Sequence, residues 1–331
     1  MKNSEKVIIN IFIPVYNAEK YLNQCLDSII NQSIFDKLSI VIINDGSTDN
    51  SQKIIDEYTS KYSNIFGYVQ ENKGLPYART AGLCKFLNGE VPRGKYFYTA
   101  DSDDFSENDM LEILLKVAEQ EESDLTYCDY SFYPHKISTK AKWFKHYQGV
   151  LDWKFIERNT QPWNKLVRWD LAKSIKLQDI WPIYGDSVYL DLLIHAKHIA
   201  CVNRSLYHYR VGHASMSGSY KGKLKFYLYV AEIAYMQRNF IKGLENKSLE
   251  TYFNYRYIYA LLQACFISAL DENKPIYDEI VIKLKTMDYL KNPLTMMILN
   301  HNFGKLKAFA LGYLIPANYY LARAICKVAL R

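Results

Sequence analysis

Tyr96-Phe97-Tyr98-Thr99-Ala100-Asp101-Ser102-Asp103-Asp104 is the stretch whose reading decides the fold. An aromatic, apolar run ends in three carboxylates within four residues. The run reads as a buried strand that delivers acids to its carboxyl end, where the ligand crevice of an open α/β sheet lies. Three acids at one strand end repel each other unless positive charge sits among them. Hard divalent cations take carboxylate oxygens. The stretch is therefore either a cation site or a solvated acidic turn leading into a helix.

The sequence before it repeats one pattern. Residues 7–15 (VIINIFIPV) form a β-rich run that Pro14 is expected to end, because proline cannot donate to a ladder. Asn17 is placed to cap a helix over 19–32. A second strand spans 38–43 and runs into Asn44-Asp45-Gly46-Ser47-Thr48-Asp49, turn chemistry before a helix over 51–62. A third strand at 65–69 leads through Glu71-Asn72-Lys73-Gly74 to a helix over 76–87 that starts at Pro76. After the fourth strand (96–100) come a helix over 107–121 and a strand over 125–130. Such alternation predicts an α/β fold with a central, mostly parallel sheet flanked by helices. The polar loops at Tyr16, Asp45, Asn72 and Asp101 would all gather at one edge of it.

The remainder divides in two. Residues 133–217 are irregular and rich in Trp, His and Tyr, and are expected to complete one side of a cleft. From about 221 the pattern is helical (221–243, 249–270 and 276–286), with Pro275 and Pro293 as breaks. The expected division is a catalytic domain over 1–218 and a helical region over 219–331. The charge divides at the same place: 219–331 carries 16 Lys or Arg against 8 Asp or Glu, whereas 1–218 carries 25 against 27. The basic third suits an anionic partner, or it is a solvated basic surface. In 305–331 the apolar residues Leu314, Leu321, Ile325 and Val328 fall near one helical face beside basic residues. That composition fits a helix lying on an anionic membrane, or one packed on the protein or in a homo-oligomer. The longest charge-free run there, 308–322, falls short of the ~20 residues of a membrane span. The six cysteines form no CxxC pair, and the first six residues are polar, so a cytoplasmic, reducing location without a secretory signal is expected. No nucleic-acid-binding module is recognisable, so nucleic acid is not expected as a partner.

Several residues invite two readings each. Asp45 could accept hydrogen bonds from a base or a ribose, or simply shape a turn. Arg79 could grip a diphosphate, orient the acidic cluster, or lie on the surface. Asp186, in Tyr184-Gly185-Asp186-Ser187-Val188-Tyr189, opens an apolar helix and is favoured there by the helix dipole whatever else it does. Trp163-Asn164-Lys165-Leu166 and Tyr207-His208-Tyr209-Arg210 could wall a sugar pocket or pack.

Taken in order, these segments resemble family 2 glycosyltransferases of the bacterial surface-polysaccharide type. The segments are Pro14-Val15-Tyr16-Asn17, Asn44 to Asp49, Asn72-Lys73-Gly74 with Ala78-Arg79, Asp101-Ser102-Asp103-Asp104, Trp163 to Leu166, Gly185 to Tyr189, and Tyr207 to Ser215. The resemblance covers roughly the first two-thirds of the chain. It implies a GT-A fold and an inverting transfer of sugar from a nucleotide-sugar, usually a UDP-sugar, to a hydroxyl of a glycan, lipid-linked glycan or wall polymer. It implies that Pro14, Tyr16 and Asp45 hold base and ribose, that Asn72 and Arg79 border the uridine-diphosphate pocket, and that Ser102 and Trp163 lie on the donor side. Asp101 and Asp103 would be the DxD pair, with Mn²⁺ or Mg²⁺ on Asp103 and Asp101 contacting ribose, sugar or metal. Asp186 would be the catalytic base, and His213 and Ser215 would belong to a loop over the diphosphate. Asp104 is expected to be structural.

Three positions depart from the family pattern: Gly185 stands in place of Glu, Thr80 in place of Asn, and Tyr189 in place of Phe. The rival readings are weaker. A haloacid-dehalogenase-like phosphotransferase would carry its acidic pair on an early strand with Thr or Val where Phe105 stands. A nucleotidyltransferase would carry a glycine-rich basic loop after the first strand. A catalytically inactive sugar- or nucleotide-binding protein of the same fold remains the alternative.

Overall fold

The computed structural model describes residues 7–134, 137–138, 147–148, 155–156, 160–211, 224–242 and 246–329. The chain forms two units, Met1–His213 and Ala214–Arg331.

The first unit is built on one sheet. Its strands are β1 (Ile9–Val15), β2 (Leu38–Asn44), β3 (Ile65–Val69), β4 (Tyr96–Thr99), β5 (Phe105–Ser106), β6 (Leu125–Tyr133), β7 (Ile137–Ser138), β8 (Tyr147–Gln148), β9 (Lys165–Arg168) and β10 (His198–Arg210). The order along the main path is β3-β2-β1-β4-β9-β6-β10-β5. Strands β3, β2, β1 and β4 are parallel neighbours, and β6 is parallel to β10. Strand β9 runs antiparallel between β4 and β6, and β5 runs antiparallel on β10. The sheet is thus mixed: the block β3-β2-β1-β4 is parallel, as expected, but the half beyond β4 alternates direction because β9 is inserted antiparallel between β4 and β6. The inserted strand β9 and the 13-residue β10 lay hidden in the segment read as irregular.

Helices α1 (Leu22–Ile30), α2 (Ser51–Lys61), α3 (Leu75–Leu87) and α4 (Met110–Gln120) match the expected ones to within a few residues. Alternation along β1 sorts the core. Ile9, Ile11, Ile13 and Val15 join Tyr96 and Tyr98 in one buried cluster with residues of α1, α2 and α4. Phe12 points the other way, stacking on Phe97 at 5.8 Å and meeting Trp181 edge-on at 5.5 Å. Each such buried side chain contributes about 1.5–3 kcal/mol. Asn10 is buried mid-strand yet well partnered: it donates to the Pro92 carbonyl at 3.0 Å and accepts from Gly94 N at 2.9 Å and Trp169 Nε1 at 2.8 Å.

Two local expectations are corrected. Pro14 does not end β1: the strand runs on to Val15, with Pro14 paired to Ile43 of β2. The ladder to β4 stops at Phe12 and Thr99, so no bond is asked of the missing N–H on that side. Asn17 does not cap α1, which starts at Leu22. Its side chain accepts instead from Thr48 N at 2.8 Å, tying the loop after β1 to the loop after β2.

Beyond β9 lie helices α5 (Trp169–Ser174), α6 (Leu177–Tyr184) and α7 (Val188–His195). The second unit is helical: α8 (Leu224–Ile241), α9 (Lys247–Leu270), α10 (Lys274–Thr286), α11 (Pro293–Phe309) and α12 (Tyr319–Ala329). Pro275 and Pro293 sit in first turns, with Asn273 and Asn292 accepting cap hydrogen bonds, so each proline starts a helix. Asn318 is extended (φ −152°) between Ala317 and α12, so Leu314 does not share a helix with Leu321 and Ile325. Among the described residues no helix is long and apolar enough to cross a membrane.

Candidate active site

Chain order places β2 and β4 on opposite sides of β1, so the sheet switches direction there, and a ligand crevice opens outside the carboxyl ends of strands at such a point. The loops after β3, β2, β1 and β4 share that edge. Asp45 is buried and anchors two of them. Its Oδ1 accepts from Gln70 Nε2 at 2.7 Å and Lys73 N at 3.0 Å, and its Oδ2 accepts from Gly74 N at 2.8 Å. A carboxylate has about four lone-pair sites, so one remains for a ligand. Gly46 takes φ +73°, and a Cβ there would lie 2.9 Å from Asn72 N, so the Asp45 turn and the Asn72 loop touch through backbone. Asn72 itself is exposed, as is Tyr16 at 53%. Pro14 is buried in β1.

The centre of the site is Arg79, which α3 carries under the strand ends. Its side chain is fully buried, yet it forms ion pairs with Asp101 through Nη2 and with Asp186 through Nη1. A lone buried cation is costly, and two carboxylates compensate it. Asp186 remains 37% exposed, so it is pinned and still open to a reactant. It lies in the single turn Gly185–Ser187 between α6 and α7. Gly185 has φ +53° and ψ −144°, a backbone conformation strained for a residue with a side chain. A Glu at this position would have to adopt that conformation, which glycine takes without a side-chain clash. Tyr189 is buried close by; burial raises its phenol pKa, the Arg79 charge opposes this and the Asp101 charge adds to it.

The acidic trio behaves as three different groups. Burial raises the Asp101 carboxyl, Arg79 opposes this, and Asp103 adds to it. Asp104 is pushed up to about 8 by burial and by its two acidic neighbours, against hydrogen bonds from Arg210 and Tyr207. Its Oδ2 accepts from the Tyr207 hydroxyl at 2.8 Å and its Oδ1 from Arg210 N at 2.7 Å, so Asp104 ties the turn to β10. One carboxylate oxygen each from Asp101, Asp103 and Asp104 lies within 4.8 Å of the others. An all-oxygen set in which Asp101 and Asp104 are raised fits a hard divalent cation, whose charge would relieve the repulsion. Ser102 lies in the turn between Asp101 and Asp103.

The structure does not bring every expected residue to this edge. Trp163 is buried in an aromatic stack, 4.4 Å from Tyr207 and 5.3 Å from Tyr209, with Tyr130 edge-on at 4.7 Å. Of the two readings of its segment, packing holds. Lys165 beside it is buried too and donates to the Gln161 carbonyl at 2.6 Å and to Asn164 Oδ1 at 2.7 Å; burial pushes its amine down to about 7. His213 and Ser215 lie outside the described residues.

Arg210 is the site residue that sequence reasoning left unassigned. Its Nε donates to the Asp103 carbonyl at 2.7 Å and its Nη2 to Gln24 Oε1 at 2.5 Å, with the guanidinium 4.7 Å from the Tyr21 ring and 4.9 Å from the Tyr133 ring. The available signal was the two-residue alternation in Tyr207-His208-Tyr209-Arg210, which puts Tyr207 and Tyr209 on one face and Arg210 on the other.

Comparison with known proteins fits this geometry. The family model described as "Glycosyl transferase family 2" matches residues 10–181, from β1 into α6, and stops five residues short of Asp186. The chain is 30% identical over 267 residues to the putative glycosyltransferase EpsH of Bacillus subtilis, covering 75% of this chain and 74% of that protein. Its fold resembles the crystal structure of S. aureus TarS 1–349 in complex with UDP-GlcNAc, with a TM-score of 0.66 at 18% identity over 97% of this chain and 92% of that one. It also resembles the mannosyltransferase PcManGT from Pyrobaculum calidifontis in complex with GDP-Man and Mn²⁺, with a TM-score of 0.52 at 12% identity over 98% and 88% of the two chains. The sheet order, the crevice at the β1/β4 switch and the matched residues lead to one conclusion: this chain belongs to glycosyltransferase family 2 and is a GT-A-fold glycosyltransferase.

Proposed function

We propose that the protein transfers a sugar from a UDP-sugar to a hydroxyl of a glycan, a lipid-linked glycan or a cell-surface polymer in one inverting displacement, with Asp186 as general base. The observation that carries this reading is the buried Arg79 gripping Asp101 and Asp186 together, which joins the diphosphate side of the crevice to a partly exposed carboxylate.

An acceptor hydroxyl is a weak nucleophile and must lose its proton as it attacks the anomeric carbon. Asp186 takes that proton. A single carboxylate on the acceptor side suffices for one in-line displacement, which inverts the configuration. Asp45 and Tyr16, with the Asn72 loop, hold the nucleoside, and Pro14 fixes the start of the Tyr16 loop. Ser102 lies along the donor between the two acids. Asp103, with Asp101, would hold Mn²⁺ or Mg²⁺, whose charge would offset that of the departing diphosphate. Arg79 keeps Asp101 and Asp186 in register, so the proton acceptor is preorganised relative to the leaving group. Trp163 acts through packing: it backs Tyr207, which in turn holds Asp104. We further propose that the catalytic part ends near residue 218.

A panel of UDP-sugars tested with Mn²⁺ for thermal shift and slow donor hydrolysis examines this reading. One UDP-sugar should raise the melting temperature in a Mn²⁺-dependent way and be hydrolysed slowly in the absence of acceptor. Binding with no turnover across a broad acceptor panel would point to an inactive sugar-binding protein.

A further inference from the structure

The second unit carries a surface that sugar transfer does not use. The 43 residues from Tyr289 to Arg331 hold six Lys or Arg and no Asp or Glu; the last acid in the chain is Asp288. Within this stretch α11 bends at Gly304, where φ is +77°. From 305 a short helical run continues to Ala317. Ala308, Gly312, Ile315 and Pro316 are its buried face. The opposite face is apolar as well. Leu306 is 88% exposed, Phe309 48% and Tyr313 40%, and the rings of Phe309 and Tyr313 stack at 5.1 Å.

Spacing of three and then four residues puts these three side chains on one stripe. Leu306 stands between Lys305 and Lys307, both exposed, and neither has an acidic partner among the described residues. Arg323 differs, being paired with Glu272. A leucine as exposed as Leu306, in line with two aromatic rings, is costly in water and marks a contact surface. Its flanking charge selects the partner. Two unpaired lysines beside an apolar stripe, in a stretch without a carboxylate, match an anionic lipid surface, where rings and leucine enter the acyl boundary and ammonium groups reach the headgroups. An apolar protein surface would leave those lysines uncompensated.

We propose that the 305–317 helix docks the protein on anionic lipid bilayers, with Leu306, Phe309 and Tyr313 inserted and Lys305 and Lys307 on the headgroups. This is peripheral attachment and rests on the surface alone, independent of the transfer reaction.

The test is co-sedimentation of the intact chain with vesicles of phosphatidylcholine alone and of phosphatidylcholine with about one-third phosphatidylglycerol, at low and high salt. The chain should bind the anionic vesicles at least about tenfold more tightly than the neutral ones, and lose most of that binding at high salt. Leu306→Ser/Phe309→Ser/Tyr313→Ser and, separately, Lys305→Glu/Lys307→Glu should each weaken binding about tenfold or more. These residues are exposed, so circular dichroism and melting temperature should stay as in the wild type. Absence of binding to anionic vesicles at low salt overturns the proposal, as does undiminished binding by the triple-serine variant. Light scattering that shows a dimer which the triple-serine variant converts to monomer, without vesicle binding, would assign the stripe to a second copy and also overturn it.

Discussion

Arg79 and Asp186 form an ion pair in which the cation is fully buried and the carboxylate is partly open. They come from α3 and from the turn before α7, more than a hundred residues apart in sequence. The same guanidinium holds Asp101 at the end of β4. Asp101 and Asp186 are thereby fixed to one rigid group.

Asp186→Asn should abolish transfer while leaving donor binding nearly unchanged. The amide keeps the shape of the side chain but cannot take the acceptor's proton. The loss in turnover should be about 10²–10⁴-fold, with the UDP-sugar dissociation constant within about threefold of wild type. Calorimetry and a coupled UDP-release assay measure the two quantities. Undiminished turnover would remove Asp186 from the mechanism.

Arg79→Met should destabilise the first unit by about 3–5 kcal/mol, because Asp101 would lose the charge that compensates its burial. All five tryptophans lie before residue 214, so urea unfolding followed by tryptophan fluorescence reports on this unit by itself. The double variant Arg79→Met/Asp101→Asn should recover part of the loss, since the orphaned charge is then gone. A single variant as stable as wild type would show that the ion pairs carry little.

Asp103→Asn and Asp104→Asn should separate metal holding from architecture. The first should weaken Mn²⁺ binding at least about tenfold while changing stability by less than about 0.5 kcal/mol. The second should cost about 1–3 kcal/mol, because an amide cannot accept from both the Tyr207 hydroxyl and Arg210 N. Titration calorimetry with Mn²⁺, paired with unfolding curves, tests both. Equal loss of Mn²⁺ affinity in the two variants would make Asp104 a metal ligand.

Lys165 should make the first unit more stable as pH rises above neutrality. Burial lowers its amine from an ordinary value of 10.5 to about 7. Between those values the unfolded chain holds a proton that the folded chain has released. Stability therefore climbs with pH, by at most about 1.4 kcal/mol per unit, and the contribution is lost as pH falls toward 7. Buried thiols and phenols such as Cys128 and Tyr207 have raised values and oppose this climb at higher pH, so pH 7 to 9 is the useful window. Lys165→Met should flatten the slope of the urea midpoint across that window. An unchanged slope would place the charge of Lys165 elsewhere.

Sequence by itself determined the α/β fold, because the alternation of apolar strands and amphipathic helices is local. It also determined the gathering of Tyr16, Asp45, Asn72 and Asp101, since residues that follow parallel strands must share an edge. It singled out Asp186 and set Asp104 apart from its two neighbours. Tertiary structure alone decided the rest. β9 and β10 take their place from long-range pairing with β4 and β6, which no local propensity encodes. Trp163 was expected on the donor side, and only the structure showed it stacked on the rings of Tyr207 and Tyr209. Gly185 read as a missing acid, and only the structure showed that its backbone takes a positive φ. Arg79 had three readings, and burial between two carboxylates removed the surface one, because a buried cation needs partners that compensate it.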